Sequence, residues 1–148
     1  MASISTTLTS REALEAWLLD FHKTTASLNA ELTTDTFFTS DAELQYGNFP
    51  EVKGRDAVLG MFAPAFNNLD LIHHEIVNFD FVGPDKLYQS TTIKYVIKGD
   101  DAEKDMITIP AILSAWLKED EGKLKMQRAE IYLDASQVFA RMAEKGLL

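Results

Sequence analysis

The chain has 148 residues, 46% of them hydrophobic and 25% charged, with a formal net charge of -9 and a pI near 4.7. That composition predicts one ordered domain over 1–148 with a real core. An acidic surface repels nucleic acid and anionic membrane, so neither is an expected partner. No cysteine is present, which excludes disulfides, thiolate nucleophiles and cysteine metal sites.

The N-terminus, MASISTTLTSRE, lacks the basic start and apolar core of a secretory signal, and a cytoplasmic protein is expected. Thr9 and Glu12 form a T-x-x-E capping box that opens a helix near Ser10. Leu14, Trp17, Leu18, Phe21, Thr25 and Leu28 then recur on one helical face, with His22 at its edge. A second short helix is predicted over 30–38, ended by Ser40-Asp41. The next stretch reads as a strand with Leu44 and Tyr46 on one side, then a turn at Gly47-Asn48-Phe49-Pro50. A third helix opens after Gly54 and runs to about Asn68, carrying Val58, Met61, Phe62 and Phe66. Pro64 is expected to end or kink it.

From there the hydrophobic period changes to two. Strands are predicted over 70–82, 86–98, 105–118 and 123–133, joined by short polar turns into an antiparallel meander. The run Met106 to Leu117 is too short to span a membrane and contains Pro110 and Ser114. It is apolar on both parities, which predicts one sheet face over an internal pocket and the other against a second copy, in a homodimer. Pro110 cannot donate to a ladder, so an edge or a bulge is expected there. Asp134 and Gln137 read as the capping box of a last helix with Val138, Phe139 and Met142 on its apolar side and Gly146 at its stop. Helices, then a sheet, then a helix make the class α+β.

Three histidines, His22, His73 and His74, are the imidazoles available for proton transfer near neutral pH. Adjacent strand residues point to opposite faces, so His73 and His74 share one pocket, or one metal, only across a bulge. Parity does not settle which of the two faces inward, although the more apolar positions Val77, Phe79 and Phe81 favour His73. On the last strand Leu124, Met126, Arg128, Glu130 and Tyr132 share a parity. Glu130, a carboxylate between apolar neighbours, is either a poised general acid or base with Tyr132 as donor, or the partner of Arg128 at a sheet edge or dimer contact. Asp134 reads as a helix cap rather than a catalyst. Of the many aromatics, Trp17, Phe21, Tyr46, Phe62, Phe66, Tyr95 and Trp116 are candidates to line a lipophilic cavity, with Asn48, Met126, Arg128 and Tyr132 as further contacts. Walker, dinucleotide-binding and serine-hydrolase signatures are absent, and no cofactor or metal is implied.

The stretch Asp41 to Phe66, DAELQYGNFPEVKGRDAVLGMFAPAF, with the first helix before it and HHEIVNFDF after it, resembles the SnoaL-like branch of the nuclear-transport-factor-2-like superfamily. Gly54-Arg55-Asp56-Ala57 is similar to the family's helix opening, His74, Ile76 and Asn78 to its H-x-I-x-N pattern, and AEIYLDASQVF to the end of many such chains. The resemblance implies a cone-shaped α+β barrel, with N-terminal helices on a strongly curved, mainly antiparallel sheet around one pocket. It also implies cofactor-independent acid–base chemistry by an isomerase, cyclase or dehydratase. The substrate would be small, lipophilic and polycyclic, polyketide-like or terpenoid-like, as for polyketide cyclases, ketosteroid isomerase, scytalone dehydratase and limonene epoxide hydrolase. Under it His74 rather than His73 faces the pocket, and the last strand supplies an acid–base residue, here Glu130. The acidic charge and C-terminal segment suggest a fungal-type member of secondary metabolism. The chain departs from the relatives in lacking an Asp-Arg-Asp set and in carrying Glu130 where the cyclases place an Asp. A non-catalytic ligand carrier or dimeric interaction module of the same fold is the alternative.

Overall fold

The computed structural model describes residues 10–148. Helix α1 spans Arg11–Ala26 and is capped by Ser10, whose hydroxyl accepts the Ala13 N–H at 3.1 Å. Thr9 of the expected capping box lies outside the described residues. Leu14, Leu18, Phe21, His22 and Thr25 form the buried stripe of α1. Helix α2, Ala30–Phe37, is capped by Asn29 through the Leu32 N–H.

Ser40-Asp41 does not terminate α2. The chain passes directly from Phe37 into strand β1, Phe38–Tyr46. Phe38 and Thr39 are buried there, while Ser40 and Asp41 are its exposed positions. Strand β2, Val52–Lys53, adds a two-residue edge that the sequence did not predict. Gly54, at φ +93°, turns the chain into helix α3, Arg55–Asn67, a conformation other residues rarely adopt. The helix continues past Pro64 to end at Asn67, with Phe62 and Phe66 on either side of the proline buried.

Strands β3, Leu69–Val82, β4, Lys86–Ile97, β5, Ile107–Asp120, and β6, Lys123–Leu133, form the predicted meander. The six strands lie in the order β2-β1-β6-β5-β4-β3. Only β1–β6 is parallel, and the curved sheet is unclosed. The α+β expectation is borne out: helices α1 to α3 cover one face and enclose the core with it. Pro110 pairs with Thr92 of β4, whereas the β6 ladder stops at Ala111–Leu133, so β5 is locally an edge at the proline.

Two register shifts decide which side chains meet the core. In β3, Ile76 pairs with Thr91 and Asn78 with Ser90, leaving Val77 as an extra residue. In β6, Trp116 pairs with Arg128 but Leu117 with Met126, leaving Gln127 extra. Each bulge reverses the inward parity of the strand beyond it.

Helix α4, Ser136–Glu144, follows Ala135 as its N-cap without a side-chain bond. The expected Asp134–Gln137 box is not formed. Instead Asp134 accepts the Ser136 N–H two residues on, a local turn that competes with capping. At the other end Gly146 and Leu147 donate to Ala143 and Met142, with Gly146 at φ +72°, which is a Schellman stop. Asp100, its side chain 2% exposed, holds α4 through Arg141 at 2.7 and 2.9 Å and Lys145 at 2.6 Å.

Candidate active site

The inward side chains of β3 to β6 and the facing helices α1 to α3 leave a cavity of about 210 Å³. Apolar side chains dominate its wall, among them Phe62, Phe66, Ile72, Ile93, Leu113 and Ile131. Phe49, Phe139 and Leu148 also line it, and the first two meet edge to face at 5.5 Å. A cavity of roughly 150 Å³ accommodates benzene, so this one matches a one- or two-ring molecule better than a larger polycycle.

Polar groups gather in two places on that wall. His22 of α1 and His74 of β3 stack with ring centroids 4.6 Å apart and planes 12° from parallel. His22 Nε2 lies 2.7 Å from Gln89 Oε1 of β4. Nδ1 of each histidine is buried without a partner, and among the described residues no hydrogen bond engages either ring nitrogen of His74. Burial pushes the His22 pKa down, against the Gln89 hydrogen bond, and pushes His74 down to about 3, helped by its histidine neighbours. Both imidazoles are therefore neutral at pH 7. Tyr46 and Tyr95 form the second polar place, one strand position along from His74: Ile72, on the same face as His74, pairs with Tyr95. Burial raises the phenol pKa of each, so both hold their protons; Tyr95 shares its own with Tyr46, which leaves the Tyr46 O–H to donate into the cavity.

His73, by contrast, is exposed, with Nε2 3.8 Å from Glu75 Oε1. The parity argument that favoured it counted back from Phe79 and Phe81 across the Val77 bulge. Before the bulge the inward set is Ile72, His74 and Ile76; after it, Phe79 and Phe81. The same error of phase affects β6. Leu124 and Met126 are buried, but beyond Gln127 the inward residues are Ala129, Ile131 and Leu133.

Glu130, Arg128 and Tyr132 consequently do not line the cavity; they are on the opposite face of the sheet. There Arg128 Nε donates to Glu130 at 2.9 Å and the Tyr132 hydroxyl donates to Glu130 at 2.5 Å. Arg128 also pairs with Glu51. These donors, Tyr132 first, hold the Glu130 carboxyl below the usual glutamate range, the opposite of a poised general acid. Trp116 is beside them, with Lys86 Nζ 3.6 Å from its ring centroid. Among the other candidates, Phe21, Tyr46, Phe62, Phe66 and Tyr95 line the cavity, whereas Trp17, Asn48 and Met126 do not. Trp17 borders a separate surface cleft, where its indole N–H donates to Leu124 O at 2.8 Å. Asn48 is exposed in the turn, and Met126 is fully buried in the core.

Gln89 and Thr91 were not singled out from the sequence. The available signal was their parity in β4, where they sit between Leu87 and Ile93 on the alternating buried face. A polar residue on a core parity must find a partner, and Thr91 finds the Glu75 carbonyl at 2.8 Å. Among the described residues no three of His, Asp or Glu gather as a metal site requires, and the two stacked rings have no carboxylate beside them.

No protein-family model matches this chain, and no curated protein matches it by sequence. Solved structures do match. A scytalone dehydratase-like protein of Novosphingobium aromaticivorans has 17% identity and a TM-score of 0.69, over 87% of each chain. A ketosteroid isomerase-like protein of Catenulispora acidiphila, in complex with trimethylamine, has 19% identity and a TM-score of 0.64, over 89% of this chain and 92% of its own. A SnoaL-like polyketide cyclase-type protein of Jannaschia sp. has 13% identity and a TM-score of 0.57, over 74% and 76%. These likenesses do not support the fungal-type placement. They do agree with the element order and the curved sheet described above, and the chain has the fold of the nuclear-transport-factor-2-like superfamily.

Proposed function

We propose that the cavity is the active site of a cofactor-independent isomerase, cyclase or dehydratase acting on a small lipophilic carbonyl compound, with His74 as the proton-transfer group. The observation that carries this reading is the neutral His22–His74 stack on an otherwise apolar wall, with His74 free of protein hydrogen bonds. His22 already spends Nε2 on Gln89, and both Nδ1 atoms are sealed, so Nε2 of His74 is the edge left for a ligand; to accept a proton there the ring must carry its own on Nδ1, the arrangement that leaves Nε2 its lone pair and Nδ1–H without a protein acceptor. A ring of such low proton affinity can take a proton only from a strongly activated C–H beside a carbonyl. The enolate that forms would restore basicity to the ring, and Tyr46, itself hydrogen-bonded by Tyr95, would donate to its oxygen. The proton-transfer role passes from Glu130 to His74 because Glu130 faces away from the cavity and is neutralised by Arg128. The protein would act in the cytoplasm.

Solvent-deuterium exchange into 2-indanone, followed by NMR, tests the reading without a known substrate. Wild-type protein should exchange the α-protons. His74→Ala should lose about a hundredfold or more in rate, while Glu130→Gln should stay within about twofold of wild type. Binding of 2-indanone without exchange would favour the carrier reading, which the low basicity of His74 and the apolar wall also suit. Full exchange in His74→Ala would remove His74 from the chemistry.

We also propose a homodimer through the outer sheet face. Ile112 and Tyr132 are 49% and 53% exposed there, beside Tyr88 and the half-buried Trp116, a run of apolar surface on central strands that no helix among the described residues covers. Light scattering that gives a monomer mass at micromolar concentration would exclude it.

A further inference from the structure

Gln89 is 1% exposed and sits in mid-strand on the core parity of β4. A buried amide is costly unless its hydrogen bonds are made, so its position demands a reason. Its Oε1 is 2.7 Å from His22 Nε2. A neutral imidazole has a single N–H. Placed on Nε2, that proton is used by Gln89. Placed on Nδ1, it would be orphaned, because His22 Nδ1 is buried without a partner, and the Nε2 lone pair would face the amide oxygen. Turning the amide to present its NH₂ to Nε2 would leave the same orphan at Nδ1.

His74 has no comparable anchor. It pairs with Ile93 through the backbone, and its side chain makes no hydrogen bond among the described residues. The torsion that turns an imidazole about its Cβ–Cγ bond is a soft one. Its ring lies stacked on His22, at 4.6 Å and 12°. Three elements thus meet in sequence: Gln89 of β4 holds His22 of α1, and His22 stacks on His74 of β3.

We infer that Gln89 is a positioning residue, fixing His22 as its Nε2–H tautomer so that the His22 ring holds His74 with Nε2 toward the cavity. This role rests on the reading of His74 as the proton-transfer group; the tautomer itself does not. Gln89 need not touch a ligand for the role to hold.

The test uses the ¹⁵N-labelled full chain at pH 7.5 and long-range ¹H–¹⁵N correlation NMR, which reads the tautomer of each histidine. Wild-type His22 should appear as neutral Nε2–H. Gln89→Met keeps the volume and removes the acceptor. It should shift His22 toward a mixture of tautomers and lower kcat for deuterium exchange into 2-indanone about ten- to a hundredfold, with KM within about twofold. Gln89→Asn, one methylene too short to reach His22, should do the same and serves if the methionine variant does not fold. A wild-type His22 found as Nδ1–H or as imidazolium overturns the inference, as does a variant with an altered tautomer and unchanged kcat. Wild-type protein that binds 2-indanone without exchanging it defeats the catalytic reading, and with it the positioning role. A His22 tautomer that Gln89→Met leaves unchanged defeats the Gln89 assignment alone.

Discussion

The neutral histidine pair makes a thermodynamic prediction that needs no substrate. Burial lowers the pKa of both rings from the usual 6.5, His74 to about 3. Below pH 6.5 the unfolded chain therefore takes up protons that the folded protein refuses. Stability is complete above 6.5 and is lost as the pH falls toward the folded-state values. Between pH 7.5 and 5.0 a histidine that stays neutral, as His74 does with its pKa near 3, removes roughly 2 kcal/mol, and His22 adds to the loss in the same direction. A small domain has only about 5–15 kcal/mol in total. Carboxylates with depressed pKa, such as Asp100 and Glu130, start from ordinary values of 3.8 and 4.5 and lose their contribution only as the pH falls below those values. The upper window thus belongs to the histidines. Urea unfolding at half-unit pH steps measures it, and His74→Met should remove about 2 kcal/mol of the pH dependence between 7.5 and 5.0 whatever it does to absolute stability. A wild-type stability that is flat within about 0.5 kcal/mol from pH 7.5 to 5.0 would show that the rings protonate freely in the folded state, and the buried neutral stack would be wrong.

Other outcomes follow from other parts of the fold. Asp100→Asn removes the carboxylate that holds Arg141 and Lys145; it should loosen α4, raise amide exchange in 136–144 and speed release of 2-indanone, because Phe139 and Leu148 line the cavity. Leu113→Ala should destabilise by about 2 kcal/mol, the low end for such a truncation because the side chain already borders the cavity, and should improve binding of two-ring over one-ring ketones in calorimetry. Ile112→Lys places a charge on the proposed interface and should convert the dimer to a folded monomer in light scattering, with the thermal melt still cooperative.

The sequence was most informative where local rules act alone. The α1 stripe of Leu14, Leu18 and Phe21, the meander with its turns, and the Gly146 stop all depend on near neighbours, and each forms as predicted. Capping was legible in kind rather than in detail. A run such as Thr-Ser-Arg-Glu offers two adjacent hydroxyls, and Ser10 is the one seen to cap α1. Asp134 had a closer donor in the Ser136 N–H than a box partner at Gln137.

The candidate site was harder to read for one physical reason, which recurs on two strands. A strand's alternation tells which residues share a face only while the ladder keeps its register, and one extra residue exchanges the faces. In β3 the extra residue is Val77, as apolar as its neighbours, so nothing in the string marks it; counted across it, His73 looks inward and His74 outward. In β6 the extra residue is Gln127, and counted across it Glu130 joins Leu124 and Met126 on the core side. The resemblance to a family pattern at His74, Ile76 and Asn78 avoids the first error because all but Asn78 of that pattern precedes the bulge. It could not avoid the second, since the last strand's acidic residue was carried over by position alone. The chemistry of the surroundings would have. Glu130 has Arg128 and Tyr132 two residues away on each side, and same-face neighbours in a strand are two apart. A carboxylate so flanked has a partner before any pocket is considered. On the core parity of β4, Gln89 and Thr91 among Leu87, Ile93 and Tyr95 have no partner nearby in the sequence. Such residues must be satisfied across the core, and Gln89 is satisfied by His22 on a helix 67 positions away. An inward polar residue without a local partner is thus the stronger pointer to the site, and here it leads to the histidine stack.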